Sequence, residues 1–170
     1  LNSLVELYFK KVEQTDKKKP FLKWLNPLHN HEYTWEEVTE KVYKLSFEIK
    51  SLIKEGDRVL LLSENRPEWL ITDLAIMNAG GITVPIFTTY ADRDYEYILN
   101  DCSPSLIIVS NNDQFKKVKN FTKHQNIISF ESIDSKSITL KDIFKKNSEK
   151  KINKKLNRKM PACIIYTSGT

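Results

Sequence analysis

Short apolar runs alternate with helical segments through the middle of this chain, and this alternation constrains its fold more than any other feature. Buried strands are predicted at Arg58–Leu62, at residues 82–87 and at Leu106–Val109, because each is a short apolar run. Helices are predicted between them at Pro67–Ala79 and Asp92–Cys102. This alternation is typical of a parallel sheet with helices on both faces. We therefore expect an α/β fold with a mainly parallel sheet, and ligands beyond the carboxyl ends of its strands.

Turn and cap residues mark the boundaries of several further elements. Thr34 stands three residues before Glu37, the spacing of a capping box at the start of a helix. Gly56 follows the last periodic residue of that helix, where a left-handed cap favours glycine. Pro67 begins an amphipathic helix. The other predicted elements are a helix over residues 3–15, a hairpin of residues 21–25 and 32–35, a polar helix over 112–124, and strands over 127–130 and 162–166.

Composition excludes several classes of protein. The 170 residues are 40% hydrophobic and 29% charged, as in a soluble globular protein. Cys102 and Cys163 stand alone, so neither a disulfide framework nor a cysteine zinc site is expected. No apolar run reaches the roughly 18 residues that a membrane span needs, and no signal peptide is visible. We expect a cytoplasmic protein, for which peripheral membrane contact stays open.

Positive charge is concentrated in one stretch. Residues 136–159 contain ten lysines and arginines against Asp142 and Glu149, a local charge of +8 in a chain whose net charge is +5. Like-charge blocks of this kind are usually solvated and mobile. Phe144 is the only aromatic residue there, so no nucleic-acid partner is expected. The alternative is a patch that binds RNA or an anionic membrane surface.

The last five residues, Tyr166, Thr167, Ser168, Gly169 and Thr170, carry the clearest chemistry. Residues 167–170, here called the hydroxyl loop, follow the predicted strand 162–166. Hydroxyl groups and glycine amides can surround a phosphate without steric bulk. The Walker pattern GxxxxGK[ST] is absent, and turns also favour serine and glycine. Local chemistry therefore leaves both a phosphate site and a plain turn open.

Three stretches, taken in order, give the chain a family resemblance. They are residues 33–38 (YTWEEV), 77–86 (MNAGGITVPI) and 166–170 (YTSGT). The chain resembles the adenylate-forming (AMP-binding) enzyme superfamily, whose phosphate loop begins with the same YTSGT. Residues 65–69 (NRPEW) with 84–89 (VPIFTT) look most like the long-chain fatty acid–CoA ligase branch.

The resemblance implies a function and a domain assignment. Residues 1–170 would be the N-terminal part of an AMP-binding domain, a fragment that ends inside the phosphate loop, with a variable basic connection over 132–160. The parent enzyme would use ATP, Mg²⁺ and coenzyme A to activate a long-chain fatty acid. Thr167, Ser168, Gly169 and Thr170 would hold the β- and γ-phosphates, and Tyr166 would support the loop. Catalytic residues would lie downstream, so the fragment alone would be inactive.

Alternatives remain at the level of the sequence. The rival function is a small α/β module that binds a phosphorylated ligand without catalysis. Glu64 and Arg66 follow a strand end, which suits either a site role or surface pairing. Three further interpretations are structural: Trp35 and Trp69 as core anchors, Cys163 as a small core residue, and His124 as a helix cap. His29 and His31 supply only two ligands, too few for a zinc site without others nearby.

Overall fold

Two sheets and six α-helices account for most of the residues that the computed structural model describes, which are 3–25, 30–121, 126–153 and 155–167. A single 3-10 turn follows the fifth helix. The elements are α1 (Leu4–Glu13), β1 (Pro20–Trp24), β2 (His31–Thr34), α2 (Trp35–Leu52), β3 (Arg58–Leu62), α3 (Pro67–Ala79), β4 (Ile82–Ile86), α4 (Asp92–Cys102), β5 (Leu106–Val109), α5 (Asn112–Val118), β6 (Asn126–Ser129), β7 (Ile138–Thr139) and α6 (Leu140–Lys145).

The main sheet has five parallel strands in the order β4-β3-β5-β6-β7. Leu60 on β3 is paired with Val84 on β4 and with Ile107 on β5. Strand β3 therefore lies between the two strands that follow it in the sequence. The chain grows the sheet to one side with β4 and then to the other with β5. This arrangement confirms the predicted parallel α/β fold.

Helices cover both faces of this sheet. Successive residues of a strand point to opposite faces, so neighbouring residues of β3 pack against different helices. Leu61 belongs to a core cluster that contains Val42 of α2 and Ile76 of α3. Leu60 belongs to a second cluster that contains Tyr95 of α4 and Phe115 of α5. Both leucines are completely buried, so the continuous apolar run RVLLL serves two cores at once.

The predicted hairpin is present as the antiparallel pair β1–β2, and it packs against α2. The Glu37 amide donates to Thr34 Oγ1 at 3.2 Å, and the Thr34 amide donates to the Glu37 carboxylate at 2.8 Å. These two bonds form the predicted capping box. The Trp35 ring stacks on Phe21 with 3.9 Å between ring centroids, and both Trp35 and Trp69 pack against the core, which confirms their anchoring role.

Helix α3 is buried on nearly all sides, whereas its sequence suggests one polar face. It lies between α2 and the sheet, and even Thr72 and Asn78 are buried. The helix ends at Gly80, whose φ of 91° is left-handed. Gly81 follows where a Cβ atom would lie only 2.8 Å from Ile53 Cδ1. A side chain at position 81 would therefore require the Ile53 side chain to shift, so glycine suits the close packing there.

One predicted helix cap and one predicted helix end differ from the structure. Helix α2 ends at Leu52 with an extended Ile53 after it, so Gly56, at φ 84°, lies in the following turn and does not cap the helix. The predicted helix over 112–124 stops at Val118 and continues as a 3-10 turn to Phe121. Residues 122–125, which include His124, lie outside the described part of the chain.

The basic stretch is folded in its first part, so the expectation of a solvated connection is wrong for residues 138–146. Leu140 and Ile143 of α6 are buried against the core. Lys44 Nζ on α2 donates to the Phe144 carbonyl at 2.8 Å, and Lys146 pairs with Glu48 at 2.8 Å. The apolar residues spaced among the lysines pack α6 against α2. Burial of these residues folds the segment despite its positive charge. The assignment of 132–160 as a variable connection stays a prediction.

Asp73, in the middle of α3, provides a test of the burial of that helix. Burial raises the pKa of its carboxyl group, so the folded state prefers the proton more than the unfolded state does. Stability from this group is therefore complete below the ordinary aspartate pKa near 3.9 and is lost as pH rises through the raised folded value. We expect Asp73→Asn to be less pH-sensitive. The melting temperature of the variant relative to the unaltered protein should rise between pH 4 and pH 7, and a constant difference would contradict the burial.

Candidate functional site

Residues 162–167 run alongside the edge strand β4. The Thr83 amide donates to the Ala162 carbonyl at 3.1 Å, and the Ile164 amide donates to the Thr83 carbonyl at 2.9 Å. Together they make a single parallel bridge between Thr83 and Cys163. Because the pairing is parallel, the segment leaves the sheet at the edge where the other strands have their carboxyl ends. That is the edge where ligands bind in open α/β sheets.

The predicted strand 162–166 is thus reduced to one bridge, and Cys163 is exposed. The prediction that Cys163 is a core residue is wrong: within the described part of the chain its segment pairs with β4 alone, at the edge of the sheet, and Cys163 is exposed there. Cys102 is the buried thiol, and burial raises its pKa to about 11. A thiol with so high a pKa remains protonated and unreactive at neutral pH.

Tyr166 is held at three points where the segment leaves the sheet. Its hydroxyl donates to Asp101 Oδ2 at 2.5 Å. The Tyr90 hydroxyl donates to the Tyr166 carbonyl at 3.2 Å, and the Tyr97 ring meets the Tyr166 ring edge-on at 6.3 Å between centroids. Burial and the hydrogen bond to Asp101 raise the pKa of Tyr166. Its hydroxyl is therefore a permanent donor at physiological pH.

The hydroxyl loop begins directly after this anchored tyrosine. Thr167 is exposed at the carboxyl edge of the sheet. Ser168, Gly169 and Thr170 lie outside the described residues. The structure therefore brings Tyr166 and Thr167 to the edge where the sequence predicts a phosphate site. The phosphate contacts of all four loop residues stay a prediction.

A second carboxyl-edge feature lies between β3 and β5, where the order of the sheet reverses. Gln114 Nε2 donates to Glu64 Oε1 at 2.6 Å, and Asn111 Nδ2 donates to the same oxygen at 3.3 Å. Burial alone would raise the pKa of Glu64, but hydrogen bonds including these two outweigh it and hold the pKa below its usual value. Glu64 thus binds the chain's own amides.

Arg66 is likewise paired within the chain. Its guanidinium contacts Glu68 at 2.9 Å and Glu131 at 2.8 Å. It also lies over the rings of Trp24 and Phe130, at 5.2 and 5.5 Å from their centroids. Of the two interpretations open for Glu64 and Arg66, intramolecular pairing is the one that these contacts support.

Metal-binding chemistry is not assembled in the described residues. They contain no group of three or more His, Cys, Asp or Glu side chains that could hold a metal ion. His31 packs edge-on against Tyr33 at 4.2 Å between centroids, and its predicted companion His29 lies outside the described part. No described helix is both long and apolar enough to cross a membrane.

Comparison with known protein families identifies the family to which this chain belongs. The model of the family described as "AMP-binding enzyme" matches residues 9–170. The chain belongs to the AMP-binding enzyme family. The match includes the hairpin, nearly all of both core clusters and the hydroxyl loop, so the resemblance carried by three short motifs extends to nearly the whole chain.

Curated relatives of this AMP-binding enzyme chain are similar at low identity. It is 32% identical over 87 residues to the long-chain-fatty-acid–CoA ligase ACSBG2 of Gallus gallus, which is 47% of this chain and 11% of that protein. It is 26% identical over 136 residues to fatty acyl-CoA synthetase A of Dictyostelium discoideum, 69% of this chain and 20% of that protein. A plipastatin synthase polypeptide of Bacillus subtilis is 29% identical over 138 residues, 81% of this chain and 5% of that protein. The chain thus spans a fifth or less of these relatives.

Solved structures share the fold. The anthranilate CoA ligase AuaEII in complex with anthranoyl-AMP superposes with a TM-score of 0.83 at 21% identity, over 99% of this chain and 33% of that one. The acetoacetyl-CoA synthetase of Streptomyces lividans gives a TM-score of 0.85 at 18% identity, over 99% of this chain and 28% of that one. At such identities the likeness establishes the fold alone.

Sequence reasoning missed the partners of Tyr166 in this AMP-binding enzyme chain. Asp101 lies 65 residues before Tyr166, and Tyr90 lies 76 residues before it. The one available signal is placement: Tyr90 follows the second predicted strand, whose end shares an edge with the end of strand 162–166. Asp101 carries no such signal, because the last turn of a polar helix is an ordinary place for a carboxylate.

Proposed function

We propose that this chain is the N-terminal part of an acyl-CoA synthetase that activates a long-chain fatty acid with ATP and passes it to coenzyme A. The observation that carries the proposal is the position of Tyr166 and Thr167, the first two residues of the YTSGT sequence, at the carboxyl edge of the sheet, in a chain that belongs to the AMP-binding enzyme family. The names of the Gallus gallus and Dictyostelium discoideum relatives support the choice of a fatty acid.

The proposed reaction has two steps. A carboxylate oxygen attacks the α-phosphorus of ATP, and pyrophosphate leaves with the electron pair of the broken bond. The thiol sulfur of coenzyme A then attacks the acyl carbon, loses its proton, and AMP leaves. The first step builds negative charge on the departing phosphates, which preorganised hydrogen-bond donors stabilise.

The hydroxyl loop supplies those donors in the proposed enzyme. The hydroxyls of Thr167 and Thr170 and the amide of Gly169 would bind the β- and γ-phosphates, together with Ser168. Tyr166 would fix the start of the loop. Mg²⁺ would screen phosphate charge when it accompanies ATP. The resemblance to the adenylate-forming family implies that its protein ligand lies downstream of this chain.

A second candidate is favoured by one particular comparison. The match to the plipastatin synthase polypeptide covers 81% of this chain, more than the matches to the two fatty acid–activating relatives above. The same first step with an amino acid as the carboxylate would make the parent protein an adenylating module of a peptide synthetase. The phosphate chemistry of the hydroxyl loop would be the same for both candidates.

Pyrophosphate exchange in the whole protein that carries this chain tests both candidates. We expect radioactive pyrophosphate to enter ATP only when a carboxylate is added, and most rapidly with hexadecanoate in a panel that includes benzoate and single amino acids. Formation of hexadecanoyl-CoA then tests the second step. Exchange that depends on an amino acid instead would favour the second candidate. Absence of exchange with every carboxylate would contradict adenylation and leave the non-catalytic phosphate-binding module.

A further inference from the structure

We propose that Tyr90 and Asp101 are positioning residues that clamp Tyr166 and thereby fix the direction in which the hydroxyl loop leaves the sheet. The clamp is the set of two hydrogen bonds to Tyr166, one to its carbonyl and one from its hydroxyl. The consequence for catalysis rests on the proposed function, whereas the clamp itself is a property of the fold and is tested separately.

The hydrogen bond from Tyr90 acts on the backbone. The Tyr90 hydroxyl donates to the Tyr166 carbonyl, which belongs to the peptide unit that joins Tyr166 to Thr167. A peptide unit is planar, so its carbonyl and the following amide hydrogen point in opposite directions within one plane. A bond that fixes the carbonyl therefore also fixes the Thr167 amide, the first backbone donor of the hydroxyl loop.

The hydrogen bond to Asp101 acts on the side chain of Tyr166. A phenol that donates to a carboxylate makes a short, charge-assisted bond. Asp101 lies in the last turn of α4 and is exposed, so it anchors the tyrosine from the outer side of the segment. The two bonds reach Tyr166 from different parts of the chain and so restrain both its ring and its main chain.

The Tyr90 ring packs against the second core cluster. The Tyr90 ring lies 5.3 Å from Phe87 and 6.3 Å from Tyr95, measured between centroids. Tyr95 is completely buried, and its hydroxyl donates to the Phe87 carbonyl at 3.0 Å.

The helix that carries Asp101 is tied to the centre of the sheet. Arg58, the first residue of β3, donates from Nε to the Cys102 carbonyl at 2.7 Å and from Nη2 to the Ser103 carbonyl at 3.1 Å. Asp101 is the residue next to this attachment. The clamp therefore transmits the position of the rigid sheet and of α4 to the start of the hydroxyl loop.

Amide hydrogen exchange in the whole protein, without nucleotide, tests the clamp itself. Tyr90→Phe removes one donor and keeps the ring, and Asp101→Ala removes the acceptor of the Tyr166 hydroxyl. We expect amides within residues 163–170 to exchange about fivefold faster in Tyr90→Phe and about tenfold faster in Asp101→Ala, as the loss of a neutral and of a charge-assisted hydrogen bond predicts. Asp101→Asn keeps an acceptor oxygen and should restore most of the protection.

Tyr97→Phe is the matched control. Like Tyr90→Phe, it removes the hydroxyl of a tyrosine beside Tyr166, in this case one on α4. Tyr97 contacts Tyr166 edge-on through its ring, which phenylalanine retains. Exchange rates in this variant should equal those of the unaltered protein. Unchanged exchange in Tyr90→Phe and Asp101→Ala, or equal acceleration in Tyr97→Phe, would overturn the clamp. Because Asp101 is exposed, its variants keep the test valid if Tyr90→Phe fails to fold.

Steady-state pyrophosphate exchange then tests whether the clamp serves the nucleotide. We expect the KM for ATP to rise about fivefold in Tyr90→Phe and about tenfold in Asp101→Ala, while the KM for the carboxylate stays unchanged. A KM for ATP that does not change in either variant, or that rises together with the KM for the carboxylate, would overturn the positioning role. Absence of exchange in the unaltered protein would instead refute the proposed function, and the hydrogen-exchange result would still decide the clamp.

Discussion

Replacing the two threonines of the hydroxyl loop together, Thr167→Ala with Thr170→Ala, is expected to lower pyrophosphate exchange of the whole protein by about 100-fold or more. Removal of one preorganised donor from a developing oxyanion costs about 10²–10³ in rate in well-studied enzymes. Each alanine removes a hydroxyl predicted to contact the β- or γ-phosphate of ATP. The loss should therefore appear in kcat as well as in the KM for ATP.

The fold should be unaffected by these changes, because Thr167 is exposed and follows the last residue that the clamp holds. Thr89→Ala is the matched control: Thr89 is also exposed and lies after β4 at the same edge of the sheet, outside the loop. We expect the control to exchange pyrophosphate at the unaltered rate. Full activity of the double variant would show that the loop does not bind the phosphates.

The sheet could be predicted because its strands carry their own signal. RVLLL and the runs at 82–87 and 106–109 are almost entirely apolar, a pattern typical of strands buried on both faces. Thr34 and Glu37 predicted the start of α2 for a similarly local reason, since the capping box involves residues three positions apart. In each case the residues that determine the element lie within it or directly beside it.

Features that depend on distant neighbours could not be predicted in this way. The exposure of Cys163 follows from the position of its segment at the sheet edge, which local apolarity does not reveal. Helix α6 is held by Glu48 and Lys44 of α2, roughly 100 residues earlier, so the charge pattern of residues 136–159 alone suggested a solvated stretch. Burial of α3 on most sides likewise depends on α2.

The candidate site likewise contains residues that the sequence reveals and residues that it does not. The residue types of the hydroxyl loop are visible in the sequence as YTSGT, and family resemblance gives them a role. The partners that orient the loop come from α4 and the turn before it. A sequence pattern of a few residues identifies the groups that contact a ligand far more readily than the groups that hold them in place.

The position of the candidate site depends on the burial of β3 on both faces of the sheet. Leu60→Ala and Leu61→Ala are each expected to lower the free energy of unfolding by about 2 to 5 kcal/mol, the usual cost of truncating a buried leucine. These neighbours point to opposite faces of β3, and each is completely buried in a different core cluster. A sheet with one solvated face would show a large loss for only one of them.

Native-state amide exchange of β3 measures this cost within the whole protein, because it reports the opening of this sheet independently of other regions. Phe47→Ala is the control: it removes a larger side chain from α2, but one that is 51% exposed, so its cost should be well below that of either leucine. If both leucine variants open the sheet to a similar extent, both faces of β3 are packed against helices in the native protein. Since β3 also holds the end of α4 through Arg58, Leu60→Ala should loosen the Asp101 contact with Tyr166 as well. A sheet that opened easily from one side could not hold the hydroxyl loop in a fixed direction.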